Sequence, residues 1–323
     1  MALDVHTKQH DAAVVYLVRN TRSHTEYGRD TRAELDLSLS LLFENFLPHT
    51  PADVLIFHEG DFTKADQDEV IAGRSAIQFH LLDGKYWSVP EFLQKSDPST
   101  WVNPQYGVGY RKMIRWYSFW IFEYIDNLGY KWIMREDEES YIRSQISYNL
   151  FDFLDKKGAI YGYRQDTYDY PGNVIGFAEA CAAYCRAKDI QPTQLLSKCD
   201  PPTWAGLNTD SWTRHGYYNN FFVSRVDFWM QSQVQDFLQY MDRIGGGFLF
   251  RWSDLPTQSA AVQIFLKESQ VYKFEDWTYQ HVTIGRDHSM GWGGVSIGAN
   301  DPNGTAVADE FVAAHGALLH EVW

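Results

Sequence analysis

Two apolar runs flanking one amphipathic stretch, all within about fifty residues, constrain the fold of this chain more than any other feature. AAVVYLVRN (Ala12 to Asn20) reads as a buried strand ending in polar residues, followed by a loop over TRSHTEYGRDTR. AELDLSLSLLFENF (Ala33 to Phe46) spaces its apolar residues like a helix lying on a sheet. DVLIFHEGD (Asp53 to Asp61) is then a second strand, closed by a glycine turn. Strand, helix and strand in that order predict a crossover unit and hence a parallel sheet in an α/β protein.

AIQFHLLDG (Ala76 to Gly84) extends the sheet, and the Pro-, Gly- and aromatic-rich stretch after it reads as a long irregular connection. RKMIRWYSFWIFEYIDNLG (Arg111 to Gly129) predicts a mostly buried helix stopped by glycine. The strand YKWIMRE then runs straight into the acidic cluster Asp137-Glu138-Glu139. In open α/β sheets ligands bind beyond the carboxyl ends of strands, which makes Asp137 to Ser140 a candidate site. Downstream, AIYGYRQDTYDY reads as one strand, and helices are expected over SYNLFDFLDKKG, GFAEACAAYCRAK, QSQVQDFLQYMDRIGGG, TQSAAVQIFLKES and AVADEFVAAHGALLHEV. GRDHSMGWGGVSIGANDPNGT is Gly-rich and expected to be irregular. With no repeat, linker or low-complexity block, a single domain over 1–323 is expected.

A chain of 323 residues buries roughly three quarters of its extended surface. Aromatic residues reach 16%, enough for a thick core or for flat faces against sugars. The net charge of -14 offers no bulk basic field, which argues against nucleic-acid or anionic-membrane binding. An anionic substrate would need a bridging cation or a few placed arginines. Cys181 and Cys185 lie one helical turn apart, a spacing that packs a helix, although a disulfide from either to Cys199 stays open. There is neither an apolar run long enough to span a membrane nor a signal-peptide pattern in MALDVHTKQH. Asn303-Gly304-Thr305 fits the N-glycosylation pattern.

Asp137 and Glu139, one residue apart past an apolar strand, can aim hard carboxylate oxygens to one side, which suits Mn2+ or Mg2+. A lone Asp-x-Glu is also what a solvated acidic turn looks like. His281 follows an aromatic-acidic segment, and its neutral imidazole can be a further ligand, but no spacing rule joins it to Asp137.

Several segments resemble the fungal α-1,2-mannosyltransferases of glycosyltransferase family 15. They are YLVRN (Tyr16 to Asn20), GYRKMIRWY (Gly109 to Tyr117), YKWIMREDEES (Tyr130 to Ser140), YGYRQDTYDY (Tyr161 to Tyr170), GGFLFRWSDLPTQSAAVQIFL (Gly246 to Leu266) and FEDWTYQH (Phe274 to His281), in the family's order. The resemblance implies a GT-A-like fold: a Rossmann-like mixed sheet flanked by helices, with a nucleotide-binding half at about 12–145 joined without a linker to an acceptor half at about 146–323. It implies GDP-mannose as donor, Mn2+ as the usual ion, a glycan or glycoprotein acceptor, retention of anomeric configuration, and work in the Golgi lumen.

By matching motifs, Asp137 and His281 take the places of the family's metal ligands, with Glu139 beside them. Tyr110 matches a tyrosine near the transferred sugar, Asp169 an acidic residue of the cleft, and Asp254 the aspartate of the Trp-x-Asp segment. Arg19, Asn20 and Arg111 are expected nucleotide or diphosphate contacts, because a guanidinium fork matches oxygen pairs. Trp252 offers a stacking face. One departure stands out: the family's glutamate in an Asn-Phe-Glu-Ile run, a possible nucleophile, is matched here by Phe222, whose ring has no lone pair to donate. Transfer from another GDP-sugar or a UDP-sugar, a retaining glycosidase with two carboxyls and no metal, and a non-catalytic carbohydrate binder are the competing readings.

Overall fold

The structure, a computed structural model, describes residues 7–22, 30–281 and 294–321, with side chains placed up to residue 314. Twelve strands are found among them. They are β1 (Ala12–Leu17), β2 (Asp53–His58), β3 (Ile77–Leu81), β4 (Trp132–Glu136), β5 (Ser140–Ile142), β6 (Tyr161–Tyr163), β7 (Asp166–Tyr168), β8 (His215–Tyr217), β9 (Phe221–Arg225), β10 (Val271–Lys273), β11 (Tyr279–His281) and β12 (Gly294–Ser296). Seven form one sheet in the order β10-β6-β9-β4-β1-β2-β3. β1 pairs in parallel with β2 and β4, and β2 with β3, as the crossover unit at the start of the chain predicts. β9 then runs antiparallel between β4 and β6, so the sheet is mixed.

Alternation along β1 shows why it lies in the middle. Ala13 and Val15 enter one core cluster while Ala12, Val14 and Tyr16 enter the other, so both faces are covered. The helix Thr31–Asn45 covers the second face through Leu35, Leu39 and Leu42, and starts where the Asp30 carboxylate accepts from the Arg32 and Ala33 amides. On the other face lies the helical stretch from Val108 to Asn127, widened by a π turn over Trp116–Trp120. It stops near Gly129, whose φ of 81° suits a residue without Cβ and turns the chain into β4.

Two departures from the sequence reading bear on the site. The stretch expected as one strand over AIYGYRQDTYDY is broken into β6 and β7, which belong to different sheets. The break falls at Arg164 and Gln165: the buried Arg164 guanidinium donates to the carbonyls of Phe274, Trp277, Ser296 and Ile297, and so turns out of the ladder. The Gly-rich stretch expected to be irregular contains β12, which pairs with β11. Its residues 285–293, like part of the loop expected over Thr21 to Arg32, lie outside the described residues. Cys181, Cys185 and Cys199 are buried thiols, not bridged. No helix among the described residues is long and apolar enough to cross a membrane.

Candidate functional site

The site forms where β4 ends. Asp137 is the first residue beyond that strand, its amide bonded to the Asn220 carbonyl at 3.2 Å, and a turn closed by the Ser140 amide on the Asp137 carbonyl leads into β5. β5 leaves the main sheet and pairs antiparallel with β11, which sets His281 opposite Ser140. Topology, not sequence spacing, therefore brings the imidazole to the acidic turn. His281 Nε2 lies 3.4 Å from Glu139 Oε1, both residues being buried, and its Nδ1 lies 3.5 Å from the Tyr218 hydroxyl. Burial raises the Asp137 carboxyl above its usual range, while Arg135 and, less strongly, His281 act to lower it.

Arg135 organises the rest. Because it precedes Asp137 by two residues along β4, both side chains point to the same face. Its guanidinium donates to both Asp137 oxygens, at 2.8 and 3.1 Å, and to Asp254 Oδ2 at 2.5 Å. It lies over the Tyr117 ring with 3.5 Å to the centroid. Burial works against this charge, but Asp137, Tyr117 and Asp254 outweigh it and hold the guanidinium pKa above its ordinary value. Asp254, the first residue of the helix Asp254–Phe265, also accepts from Asn219, whose amide reaches Gln258 as well.

A second group lies along the same helix start. Asp169 accepts from the Ser253 hydroxyl at Oδ2 and from the Tyr170 amide at Oδ1, each at 2.7 Å, and Arg251 Nη1 stands 3.8 Å from Oδ1. Arg251 also donates to the Tyr110 hydroxyl at 2.7 Å, and burial pushes that hydroxyl up to about 12. Thus Tyr110 and Asp169, expected from separate motifs, are joined by a residue the motif reading did not single out. Arg135, Tyr218, Asn219, Arg251 and Ser253 were all missed. Arg135 left a signal in its place two positions before Asp137, and Arg251 and Ser253 lie in the same motif segment as Asp254; Tyr218 and Asn219 are set by tertiary packing.

Of the residues expected to contact the nucleotide, Asn20 sits beyond β1 with its backbone amide donating to the Asp61 carboxylate and its side chain donating to the Asp61 carbonyl. Arg19 is largely exposed, 3.7 Å from Glu59, and its Nη2 would lie 3.8 Å from a Cβ on Gly109. Two expectations are corrected. Arg111 is fully buried, and its guanidinium donates to the carbonyls of Val102, Asn103, Tyr106, Gly247 and Phe248, which leaves it no donor for a diphosphate. Trp252 is 4% exposed, donates to the Ile175 carbonyl and packs on Phe250 and Phe177, so it has no face for a sugar. Phe222, at the family's glutamate position, is fully buried opposite Arg135 and stacked on Tyr161 with centroids 5.7 Å apart.

Among the described residues, no group of three His, Cys, Asp or Glu side chains is arranged to hold a metal by itself. The donor chemistry nonetheless suits a hard divalent cation completed by substrate oxygens: two carboxylates and an imidazole gathered at the end of a central strand.

Residues 49–287 match the family model described as glycolipid 2-alpha-mannosyltransferase. The chain is 26% identical over 254 residues to O-glycoside alpha-1,2-mannosyltransferase homolog 5 of Schizosaccharomyces pombe, covering 69% of this chain and 60% of that protein. Among solved structures, core-mannan synthase A from Aspergillus fumigatus in its Mn/GDP form aligns with a TM-score of 0.73 at 20% identity, over 86% of this chain and 76% of that one. The mannosyltransferase Ktr4p of S. cerevisiae in complex with GDP aligns with a TM-score of 0.73 at 19% identity, over 84% and 71%. These likenesses carry the GT-A-like fold. The chain spans 60% and 54% of the length of two curated relatives it matches.

Proposed function

Because the chain belongs to the glycolipid 2-alpha-mannosyltransferase family, we propose that it transfers mannose from GDP-mannose to a hydroxyl of a glycan acceptor, with retention and with Mn2+ or Mg2+. The observation that carries this reading is the meeting of Asp137, Glu139 and His281 at the end of β4, joined by β5 and β11 pairing. The Mn/GDP form of core-mannan synthase A and the GDP complex of Ktr4p support the choice of ion and nucleotide.

In this reading Asp137 and His281 hold the cation, with Glu139 beside them, and the cation when bound supplies neutralising charge to the departing diphosphate. Arg135 holds the Asp137 and Asp254 carboxylates in fixed orientation, so that little reorganisation is needed as charge develops. Asp254, Asp169 and Tyr110 present acceptors and a hydroxyl to the sugars, and Arg19 and Asn20 stand on the nucleotide side. Phe222 supplies no nucleophile. Retention then comes either from the leaving phosphate guiding the acceptor hydroxyl to the same face, or from Asp169 acting as the carboxylate. We treat the chain as one catalytic unit of the Golgi lumen, with a glycan or glycoprotein as acceptor.

A donor panel tests the assignment: GDP-mannose, other GDP-sugars and UDP-sugars are each offered with Mn2+ and mixed mannose-containing acceptors, and nucleotide release is measured. Release from GDP-mannose that rises with acceptor is expected. Release from a UDP-sugar alone would overturn the donor, and hydrolysis of oligosaccharides in chelator would overturn the transferase.

A further inference from the structure

Several buried arginines in this chain have most of their donors in use. Arg111 serves five carbonyls, Arg164 four, and Arg135 two carboxylates and an aromatic face. Arg251 differs. It is 9% exposed, yet it makes one hydrogen bond, to the Tyr110 hydroxyl, and one longer ion pair, to Asp169. Its Nε is buried with no hydrogen-bond partner among the described residues.

Its backbone is equally unusual. The helical turn Gly246–Leu249 ends, and the chain reverses so that the Trp252 amide bonds back to the Gly246 carbonyl at 3.1 Å. The indole lies so close to Gly246 that a Cβ there would meet it at 2.0 Å. The reversal needs a left-handed residue at position 251, where φ is 65°. Glycine adopts that conformation without penalty and arginine does not. A strained non-glycine residue whose side chain is not used as a packing clamp points to a function for the side chain. That side chain lies over the Tyr106 and Tyr110 rings, 4.5 and 5.3 Å from their centroids, and it bridges two residues from separate cleft motifs.

We propose that Arg251 is a positioning residue of the transfer reaction, which acts by holding the Tyr110 hydroxyl and the Asp169 carboxylate in one arrangement around the sugar. The inference rests on the transferase reading above. Arg111 supports it from behind: its bond to the Tyr106 carbonyl fixes the loop that presents the Tyr106 ring to Arg251.

The test uses Arg251→Gly and Arg251→Lys in the full chain. Glycine suits the backbone, so Arg251→Gly should melt at or above the temperature of the wild type and bind GDP with Mn2+ within about threefold of it. Its kcat for mannosyl transfer should fall by about tenfold or more, with KM for GDP-mannose nearly unchanged, and Arg251→Lys should recover part of the loss. In a Tyr110→Phe background the same change should cost clearly less, because the hydroxyl it positions is gone. A wild-type chain inactive with GDP-mannose overturns this inference together with the transferase reading. An active wild type whose Arg251→Gly variant turns over within about threefold overturns the inference alone. So do full additivity with Tyr110→Phe and a loss of kcat that merely tracks lost stability.

Discussion

Asp137 is held more tightly than a metal ligand needs to be, with both oxygens on Arg135. Its removal should therefore be felt twice, as a lost donor and as an uncompensated guanidinium. Asp137→Ala is expected to lower kcat by about a hundredfold or more and to abolish the Mn2+ dependence of GDP binding, both read on purified protein. Phe222 offers the opposite case. Phe222→Leu should lower stability by about 1–2 kcal/mol in denaturant titration and keep turnover. Phe222→Glu, which restores the family's residue type, should cost about 3–5 kcal/mol, since it would bury a carboxylate beside Tyr161 and opposite an Arg135 already engaged by Asp137 and Asp254. Substantial activity from a stable Phe222→Glu protein, with loss of turnover in Phe222→Leu, would contradict that placement. Motifs brought forward the residues that the structure gathers around the candidate site: Asp137, Glu139 and His281 at the acidic turn, and Asp169, Asp254 and Tyr110 beside it. Arg111 and Trp252 carried motifs equally well and proved to be packing residues, because a one-dimensional pattern cannot say which way a guanidinium or an indole turns.

At the scale of elements, β1 to β4 and the helices on either face could be read from apolar periodicity alone, since each is long enough to show its period. The three-residue strands could not. β5, β11 and β12 are too short for a pattern, yet their pairing delivers His281 to Asp137. The Arg111 guanidinium ties the 102–106 loop to the Gly246–Leu249 turn, so Arg111→Met should destabilise the protein by about 3 kcal/mol or more, measured by thermal or denaturant unfolding, through five carbonyls left without their donor. The antiparallel pair of β7 and β8 carries a pH signature. Burial opposes charge on Asp166, but bonds from His215 and Lys273 prevail and hold its carboxyl below the ordinary range. A depressed folded pKa stabilises above the unfolded value, near pH 4, and the contribution fades as pH falls through and below it. Wild type should thus melt above Asp166→Asn at pH 7, and the gap should begin to narrow only as pH falls below about 4 in a melting series.

Across the whole molecule, strands from both sequence halves share one seven-stranded sheet, and the candidate site lies where β4 and β9, one from each half, run side by side. On the proposed function, a chain with net charge -14 would take an anionic donor through local cations at this site and not through a surface-wide field. The proposed function requires that Asp137 and His281 hold a divalent cation that supplies charge to a nucleoside diphosphate. Titration calorimetry of GDP into the protein, once with Mn2+ and once with chelator, tests this directly. Binding in Mn2+ that vanishes with chelator is the predicted result, and equal affinity under both conditions would contradict it.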